Sequence, residues 1–484
     1  NADVTTVNAS GMGTGGAVVQ TGRSATDAST YTGSNGDDTF IMMNGNDVLA
    51  GGSGTDTLDV NFTAILGGMN IDLSATNQLV SFNGSASSGN ITGFENVDVS
   101  GYAGSFGAVV TGSSAANTIT GTGQADQISG GAGNDVISGG TGNDVITGGD
   151  GEDNISAGDG VDVLTGGAGN DTFIVTALAD LTDGANAVED TIDGGDGTGD
   201  TIAFNGGVTL AAADDFTDNV SNIESLTANG AQAGAISITT HATFVTDTGI
   251  TLIDLSADTN ATGTNVVDIS NQSTTTPMTI IGSAGIDNIT ADSGSADVIR
   301  GGAGVDAIDL TGGTTADSID FTGAHSATGN YDTVANFAVA TDLIRLDGSA
   351  TTVATASGSR AVVEDEAVAA ANADAAAYNL AAALTLNTNA VDLVTLDSTV
   401  LANIANADLD TAGTINDGTQ LLAALVTAGA GQTASGITVD NAGDEFYILT
   451  DDGTDSYLYY VNSGADTLVE AGEIQLVADF GGAA

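Results

Sequence analysis

The chain has 484 residues, of which 63 are acidic and 4 are basic, so its formal net charge at pH 7 is −59. A surface this negative repels nucleic acid and anionic lipid, which need clustered positive charge on their protein partner, and it attracts metal cations. Cysteine is absent, which excludes disulfides and thiolate zinc sites, so rigidity must come from packing or from bound ions.

The sequence lacks the features of a membrane-spanning segment. The richest apolar stretch, 375–384, is interrupted by Asn379, so we expect a soluble chain with no transmembrane segment. The first ten residues, NADVTTVNAS, do not have the charged and then apolar pattern of a secretory signal peptide. We therefore expect either a processed start or an export signal elsewhere in the chain.

Nonapeptide repeats divide the chain into segments. After an N-terminal segment, 1–32, three units begin at residues 33, 42 and 51 and form a first repeat block, 33–59. Seven consecutive nonapeptides then run from Gly112 to Ile174, for example GGAGNDVIS from 130 and GGTGNDVIT from 139. An isolated variant, GGDGTGDTI, begins at Gly194 and extends this main block to 112–202. A strict period over seven units predicts a stacked repeat architecture.

The remaining segments are less regular. Two spacers, 60–111 and 203–281, alternate apolar and polar residues and predict short strands joined by turns. A looser third block with a closing strand pattern spans 282–348. The segment 349–444 is alanine- and leucine-rich at helical spacing over 361–386 and 397–428, which predicts a small helical insert. The tail, 445–484, predicts a hairpin followed by a final strand.

Each residue type in the repeat has a physical role. Glycine at the first, second and fourth places allows positive φ in a tight turn, and the frequent asparagine at the fifth place tolerates the same region. The residues after the turn form a short strand whose central side chain points inward. The predicted core residues are Ile128, Ile137, Ile146, Ile155, Leu164 and Phe173.

Stacking brings carboxylates together. If each nonapeptide is half a coil, turns 18 residues apart lie on one edge, which places Asp126, Asp144 and Asp162 in one column and Asp135, Asp153 and Asp171 in another. At a strand spacing of about 4.8 Å these carboxylates repel by several kcal/mol unless cations lie between them. Carboxylate and carbonyl oxygens without histidine or cysteine suit Ca²⁺ better than Zn²⁺ or copper, and Mg²⁺ retains its waters. The predicted metal ligands are Asp38, Asp47, Asp56, Asp126, Asp135, Asp144, Asp153, Asp162, Asp171, Asp200, Asp287, Asp297, Asp306 and Asp317.

The repeat resembles the RTX nonapeptide G-G-x-G-x-D-x-U-x, in which U is a large apolar residue. The resemblance implies an all-β fold, with calcium-stapled parallel β-roll (β-solenoid) blocks joined by β-rich segments and the small helical insert near the C-terminus. The segment 330–348 is similar to the closing segment of many RTX rolls, and LVADFGGAA at the end is loosely similar to the uncleaved signals of type I secretion. A solvated glycine- and aspartate-rich linker is the alternative, but it predicts neither a strict period nor a buried aliphatic residue at one phase.

Other acidic motifs give weaker signals. The segments 93–101 and 222–230 correspond to each other, which suggests a duplicated module, and we interpret Glu95 and Glu224 as edge-strand charges. The residues from Asn462 to Glu473 partly match the spacing of an EF-hand loop, with an ordinary acidic turn as the alternative.

The motifs of familiar enzyme classes are missing. The two histidines, His241 and His325, form no His-Glu-x-x-His motif, and no G-x-S-x-G motif is present. Tryptophan is absent, so a sugar-binding platform has few aromatic residues to use. We therefore predict a protein that is not an enzyme.

The repeat blocks extend over most of the chain, so structure is the predicted function. Lysine-free, cysteine-free RTX chains resemble bacterial surface-layer (S-layer) proteins, which implies a self-assembling, calcium-dependent lattice on the cell surface of a Gram-negative bacterium. Expected partners are further copies of the chain and outer-membrane lipopolysaccharide. An RTX adhesin or biofilm protein is the alternative function, and a secreted hydrolase is the third.

Overall fold

A computed structural model describes most of the chain from residue 6 to residue 346 and separate strands beyond. The gaps within 6–346 are 12, 22–28, 44–45, 62–66, 83–84, 88, 177–189, 208, 212–218, 233, 261–262, 312–314, 322–331 and 338–341. The later described residues are 352–354, 385–386, 392–395, 438–439, 445–451, 456–462 and 474–480.

Short strands make up almost all of the described structure. The first half of the chain contains β1 (Thr6–Asn8), β2 (Val18–Gln20), β3 (Thr30–Thr32), β4 (Thr39–Met42), β5 (Val48–Ala50), β6 (Thr57–Val60), β7 (Met69–Asp72), β8 (Leu79–Phe82), β9 (Ser85–Ala86), β10 (Asn90–Thr92), β11 (Asn96–Asp98), β12 (Ala108–Thr111), β13 (Thr118–Thr120), β14 (Gln127–Ala132), β15 (Val136–Thr141), β16 (Val145–Asp150), β17 (Asn154–Asp159), β18 (Val163–Ala168), β19 (Thr172–Val175), β20 (Thr191–Asp196), β21 (Thr201–Phe204), β22 (Thr209–Leu210), β23 (Val220–Ser221) and β24 (Ser225–Ala228).

The second half of the chain also consists of short strands, with one short helix. It contains β25 (Ser237–Thr239), α1 (Phe244–Thr248), β26 (Leu252–Asp254), β27 (Thr264–Asp268), β28 (Thr279–Ile281), β29 (Ile286–Thr290), β30 (Val298–Arg300), β31 (Ala307–Asp309), β32 (Ser318–Phe321), β33 (Asp332–Ala335), β34 (Leu343–Leu346), β35 (Thr352–Ala354), β36 (Thr385–Leu386), β37 (Asp392–Thr395), β38 (Thr438–Val439), β39 (Glu445–Asp451), β40 (Ser456–Asn462) and β41 (Ile474–Asp479).

The chain forms two compact units, the first of which comprises residues 1–206, 213–229 and 244–250. Its strands form two long parallel ladders. Ladder 1 consists of β2, β4, β6, β11, β13, β15, β17, β19, β21 and β24, and ladder 2 consists of β7, β12, β14, β16, β18, β20 and β23. A shorter parallel ladder contains β1, β3, β5 and β10. From β11 to β21 the chain alternates between ladders 1 and 2, so each pair of consecutive strands makes one coil of a β-roll, as the repeats predict.

The ladder register confirms the predicted core. Ile128 pairs with Ile146 and Ile146 with Leu164 in ladder 2, while Ile137 pairs with Ile155 in ladder 1. These side chains point inward and are buried, as is Phe173. Full burial of such a side chain stabilises a fold by about 1.5–3 kcal/mol, so a narrow stack of aliphatic residues holds the two sheets together.

The first spacer, 60–111, continues the same ladders. Its strand β11 pairs with β6 before it and β13 after it, and β12 pairs with β7 and β14, all in parallel. The antiparallel pairing of β7 with β8 adds a hairpin within this segment. The spacer therefore lengthens individual coils without interrupting the stack.

The second unit comprises residues 207–212, 230–243 and 251–484. Ladder 3 is the parallel series β26, β28, β30, β32 and β34, and ladder 4 is the parallel series β22, β25, β27, β29, β31, β33 and β41. The strands β39 and β40 pair antiparallel, and β40 pairs antiparallel with β41. The prediction of a hairpin and a final strand in the tail is therefore confirmed.

Two predictions fall largely on residues that the structure does not describe. The predicted helices over 361–386 and 397–428 lie outside the described residues, except that 385–386 form a strand and not a helix. Of the loop from Asn462 to Glu473, only Asn462 is described, and it ends β40. Among the described residues, no helix is long and apolar enough to cross a membrane.

The turn of GGTGNDVIT shows why each glycine is needed. Gly140 and Gly142, at the second and fourth places, have φ of +112° and +122°, as predicted. Gly139, at the first place, does not have positive φ; a Cβ there would collide with Asp144 Oδ2 and the carbonyl oxygen of Ala157. Asn143, at the fifth place, also lacks positive φ, and its Oδ1 accepts a hydrogen bond from Val161 N at 3.3 Å. The conformational reason predicted for the first and fifth places was therefore wrong, because contacts between coils fix these residues.

Candidate metal centre

The turn before ladder 2 carries one column of aspartates. Asp126 N donates to Asp144 Oδ1 at 2.8 Å, Asp144 N to Asp162 Oδ1 at 2.7 Å, and Asp162 N to Asp190 Oδ1 at 2.7 Å. The three predicted members are stacked as expected, and Asp190 extends the column. We call this series, with Asp126 first, column 2.

The turn before ladder 1 carries a longer series, column 1. Asp135 N donates to Asp153 Oδ1 and Asp153 N to Asp171 Oδ1, each at 2.8 Å, and Asp171 N donates to Asp200 Oδ1 at 2.7 Å. The column ends on Glu224, whose Oε2 accepts from Asp200 N at 2.8 Å. The predicted column of three is therefore correct, and the isolated variant at Gly194 belongs to it.

The first repeat block repeats this arrangement. Asp38 N donates to Asp56 Oδ1 at 2.7 Å, and Asp56 N donates to Glu95 Oε2 at 2.8 Å. Asp47 lies before β5, and its Oδ1 accepts from Ser29 N at 3.0 Å.

The second unit contains two columns of its own. Before ladder 4, Asp287 N donates to Asp306 Oδ1 at 2.9 Å and Asp306 N to Asp332 Oδ1 at 3.0 Å. Before ladder 3, Asp297 N donates to Asp317 Oδ1 at 2.9 Å and Asp317 N to Asp342 Oδ1 at 3.3 Å. The four predicted aspartates of the third block thus alternate between two columns, despite their uneven spacing in sequence.

The second oxygen of most column aspartates is buried without a hydrogen-bond partner. Burying a charged oxygen in this way is costly unless a cation or a donor compensates it. The residues whose Oδ2 is in this state are Asp47, Asp56, Asp135, Asp144, Asp153, Asp171, Asp200, Asp297 and Asp306.

Main-chain oxygens lie next to these unpartnered carboxylate oxygens. At the first-place glycine of most turns, the space that a Cβ would fill is bordered by Oδ2 of the same turn and by a carbonyl oxygen from the next coil. At Gly139 the two atoms are Asp144 Oδ2 and Ala157 O, and at Gly148 they are Asp153 Oδ2 and Gly166 O. Ca²⁺ takes six to eight oxygen ligands from carboxylates and carbonyls, so the donor chemistry fits calcium.

Carboxylates alone do not complete such a site. Nowhere in the described part of the chain do three or more acidic, histidine or cysteine side chains come together as a metal-binding group. The further ligands of an ion at Oδ2 would be backbone carbonyl oxygens such as Ala157 O and Gly166 O.

Burial raises the pKa of several column aspartates. It raises the pKa of Asp144 to about 7, with repulsion from Asp126 and Asp162 adding to the effect. It raises the pKa of Asp135 to about 6 and that of Asp306 to about 8. A cation beside these oxygens favours the charged form and opposes the shift.

Several column members were missed from the sequence. Glu95 and Glu224 were interpreted as edge-strand charges, and they instead accept the N–H of the preceding column aspartate. The others, Asp190, Asp332 and Asp342, lack a glycine-rich turn before them. Each is nevertheless followed two residues later by an apolar strand residue, and a search for that shorter pattern would have found all three.

The histidines add no site within the described structure. His241 Nδ1 lies 3.4 Å from both the N and the Oγ1 of Thr243, and His325 lies outside the described residues.

Comparison with known proteins agrees with the geometry. The family model described as the RTX calcium-binding nonapeptide repeat (4 copies) matches residues 28–61, 111–146 and 138–173. No curated protein matches the chain. The matched residues include columns 1 and 2 from Asp126 to Asp171, and those repeats bind calcium at multiple sites. The chain therefore contains RTX calcium-binding nonapeptide repeats within an all-β fold built on parallel β-rolls.

Proposed function

We propose that this chain is a secreted structural protein that calcium folds and assembles into an S-layer lattice on the cell surface. The observation that carries the proposal is the unpartnered Oδ2 in column after column of both units. Such columns make the fold itself dependent on the ion, and they extend well beyond the repeats that the family model matches. The scaffold is thus a product of calcium binding in both units.

We further propose that the column aspartates with an unpartnered Oδ2 are the calcium ligands, together with turn carbonyls. The buried oxygens of Asp144 and Asp153 illustrate the fit, since each borders a carbonyl oxygen of the next coil. A bound ion supplies positive charge that neutralises the carboxylates. The chain's own residues hold the oxygens in place through the N–H to Oδ1 bonds between coils.

Charge supports the assembly step. A net charge of −59 keeps free chains apart, and calcium bound within and between chains reduces that repulsion. Self-association and contact with lipopolysaccharide, which carries anionic groups that calcium can bridge, are both consistent with a surface that acts through cations. Extracellular location after type I secretion is part of the same proposal, and no enzymatic activity is assigned.

Electron microscopy tests the assembly step. Purified full-length chain in millimolar calcium should form ordered sheets in negative stain, and monovalent salt at equal ionic strength should not. A triple variant with Asp144→Asn, Asp153→Asn and Asp171→Asn should assemble poorly, because its main roll loses buried charges that calcium compensates. Chain that binds calcium and remains monomeric by light scattering at high concentration would contradict the lattice.

One observation favours an adhesin as the second candidate. Val109, Val145 and Val163 lie in one outward column of ladder 2, with Gln127 between the first two, and are 37%, 46% and 45% exposed. Exposed valines on a roll surface suit a contact with another macromolecule. The monomeric outcome of the light-scattering experiment would favour this function over the lattice.

A further inference from the structure

The repeat turns fall into two classes according to the residue at the second place. Most turns have glycine there, and the sixth-place aspartate has an unpartnered Oδ2 in turns such as those of Asp135 and Asp144. In a smaller class the second-place residue is serine or threonine. We call hydroxyl turns those in which this residue bonds the sixth-place aspartate, namely Ser34 with Asp38, Thr122 with Asp126, and Ser283 with Asp287. Ser293, at the second place of the Asp297 turn, makes no such contact, and Asp297 Oδ2 is unpartnered.

In the hydroxyl turns, the second-place residue donates hydrogen bonds to the carboxylate of the same turn. Thr122 N donates to Asp126 Oδ2 at 2.6 Å, and Thr122 Oγ1 lies 2.8 Å from Oδ1 and 3.1 Å from Oδ2 of the same aspartate. The Oγ1 atom also accepts a hydrogen bond from Gln124 N at 3.0 Å. Asp126 Oδ1 in addition accepts from Ala108 N at 2.6 Å. Each carboxylate oxygen of Asp126 therefore accepts at least one hydrogen bond.

The same contacts recur at the start of the other blocks. Ser34 N donates to Asp38 Oδ2 at 2.5 Å, and Ser34 Oγ lies 3.1 Å from Asp38 Oδ1. Ser283 N donates to Asp287 Oδ2 at 2.8 Å, and Ser283 Oγ lies 2.9 Å from the same oxygen. Three independent turns thus close in the same way.

The backbone differs as well. Gly140, at the second place of the Asp144 turn, has φ of +112°, a conformation that threonine rarely adopts, whereas Thr122 does not have positive φ. A hydroxyl turn therefore differs from a glycine turn in the conformation of its second residue and in lacking an unpartnered carboxylate oxygen.

A natural variation in the main block agrees with this division. Its first unit, GSSAANTIT, has Ser113 at the second place and neutral Asn117 at the sixth, where the other six units have aspartate. Ser113 N donates to Asn117 Oδ1 at 2.6 Å, the contact that the aspartates of hydroxyl turns make. An uncharged side chain suffices there, as expected for a turn that holds no cation.

We propose that a second-place hydroxyl residue that hydrogen-bonds the sixth-place side chain keeps its turn free of calcium, and that the turns of Ser34, Ser113, Thr122 and Ser283 are therefore metal-free. A cation at Asp126 Oδ2 would have to displace the Thr122 N–H, whereas at Asp144 Oδ2 it displaces no donor. These turns begin the three blocks at residues 33, 112 and 282. Each block therefore starts with a coil whose turn is hydrogen-bonded without calcium. The coils that need the ion stack on it.

This inference rests on the proposed ligand set, and native mass spectrometry of calcium-saturated full-length chain tests the two separately. The Asp144→Asn variant should bind at least one ion fewer than the unmodified chain, which tests the ligand set. The Asp126→Asn variant, in the same column, should bind the same number as the unmodified chain. Equal losses in the two variants would overturn the inference and leave the ligand set intact, while no loss in either would overturn both.

A gain of binding provides the second arm, which remains decisive if an asparagine variant fails to fold. Thr122→Gly restores the second-place glycine and should add one calcium ion per chain. The matched control is Thr141→Gly, the same change at the third place of a glycine turn, which should leave the count unchanged. An unaltered count in Thr122→Gly would overturn the inference.

Discussion

Glu224 Oε2 accepts a hydrogen bond from Asp200 N at 2.8 Å, as Glu95 Oε2 does from Asp56 N. The two glutamates lie 129 residues apart in chain order and make the same contact, which gives the correspondence of segments 93–101 and 222–230 a structural meaning. In each segment, glutamate occupies the column position that aspartate has elsewhere, and the coil that follows does not have the nonapeptide length.

Removing the glutamate side chain should weaken the first unit. Glu224→Ala leaves Asp200 N without its acceptor, and an unsatisfied buried donor costs about 1–3 kcal/mol. Glu224→Gln retains an acceptor oxygen and should lose less. Urea unfolding in saturating calcium measures both, with Glu152→Ala, a change at an exposed turn residue, as the control. A Glu224→Ala chain as stable as the control would show that this contact contributes nothing.

Position within a column should set calcium affinity. Asp144 lies between Asp126 and Asp162, whereas the N–H of Asp317 reaches Asp342 Oδ1 only at 3.3 Å in the irregular block. We expect Asp144→Ala to weaken calcium binding at least about tenfold more than Asp317→Ala, a difference of about 1.4 kcal/mol. Calorimetric titration of the two variants makes the comparison. Equal losses would mean that regular stacking does not strengthen the sites.

The first-place glycine should tolerate no side chain. Gly139→Ala drives a Cβ into Asp144 Oδ2 and the Ala157 carbonyl, and overpacking of this kind costs about 1–3 kcal/mol. Gly123→Ala is the matched control, because its Cβ would meet only Thr141 Oγ1, at 3.4 Å. Thermal melting in calcium should separate the two variants. If the two variants have the same melting temperature, the space around Gly139 accommodates a Cβ more easily than its contacts indicate.

The metal-free protein should be more stable in mild acid than in mild base. Burial raises the pKa of Asp144 to about 7 and that of Asp306 to about 8, from an ordinary value of 3.8. A raised folded-state pKa means that the folded chain binds more protons, so this stabilisation is complete below the unfolded pKa and is lost as pH rises through the folded pKa.

Melting temperature against pH measures this effect. Chain depleted of calcium and dialysed into metal-free buffer should have a cooperative melting transition at about pH 5 and should lose it, with most of its β signal, as the pH rises to about 8. In saturating calcium the sign should reverse, because the ion binds the charged carboxylates and protons compete with it. A metal-free melting temperature that rises toward pH 8 would contradict the raised pKa values.

The sequence was sufficient for the regular part of the fold. Period, inward residue and carboxylate column are all local consequences of one nonapeptide, so Ile146 and Asp144 could be placed correctly from spacing alone. The continuation of the ladders through the first spacer could not be predicted in this way. Strand β11 pairs with β6, but the segment between the two strands does not have the nonapeptide length. The sequence therefore has no period there from which the pairing could be predicted.

Contacts between coils were the other source of error. The roles of Gly139, Asn143 and Glu224 depend on atoms one coil away, and residue propensities carry no information about those atoms. The hydroxyl turns belong to the same group, since Ser34 and Thr122 look like ordinary substitutions of a turn glycine until their hydrogen bonds are known.

Far-UV circular dichroism with and without calcium tests whether the ion holds the rolls together. Excess chelator at neutral pH should abolish most of the β signal and the cooperative melting transition, because buried aspartates such as Asp144 and Asp153 then repel each other across a thin aliphatic core. Added calcium should restore both, and magnesium at the same concentration should not. A β signal and melting temperature that are unchanged in excess chelator would contradict the claim that calcium holds these rolls together.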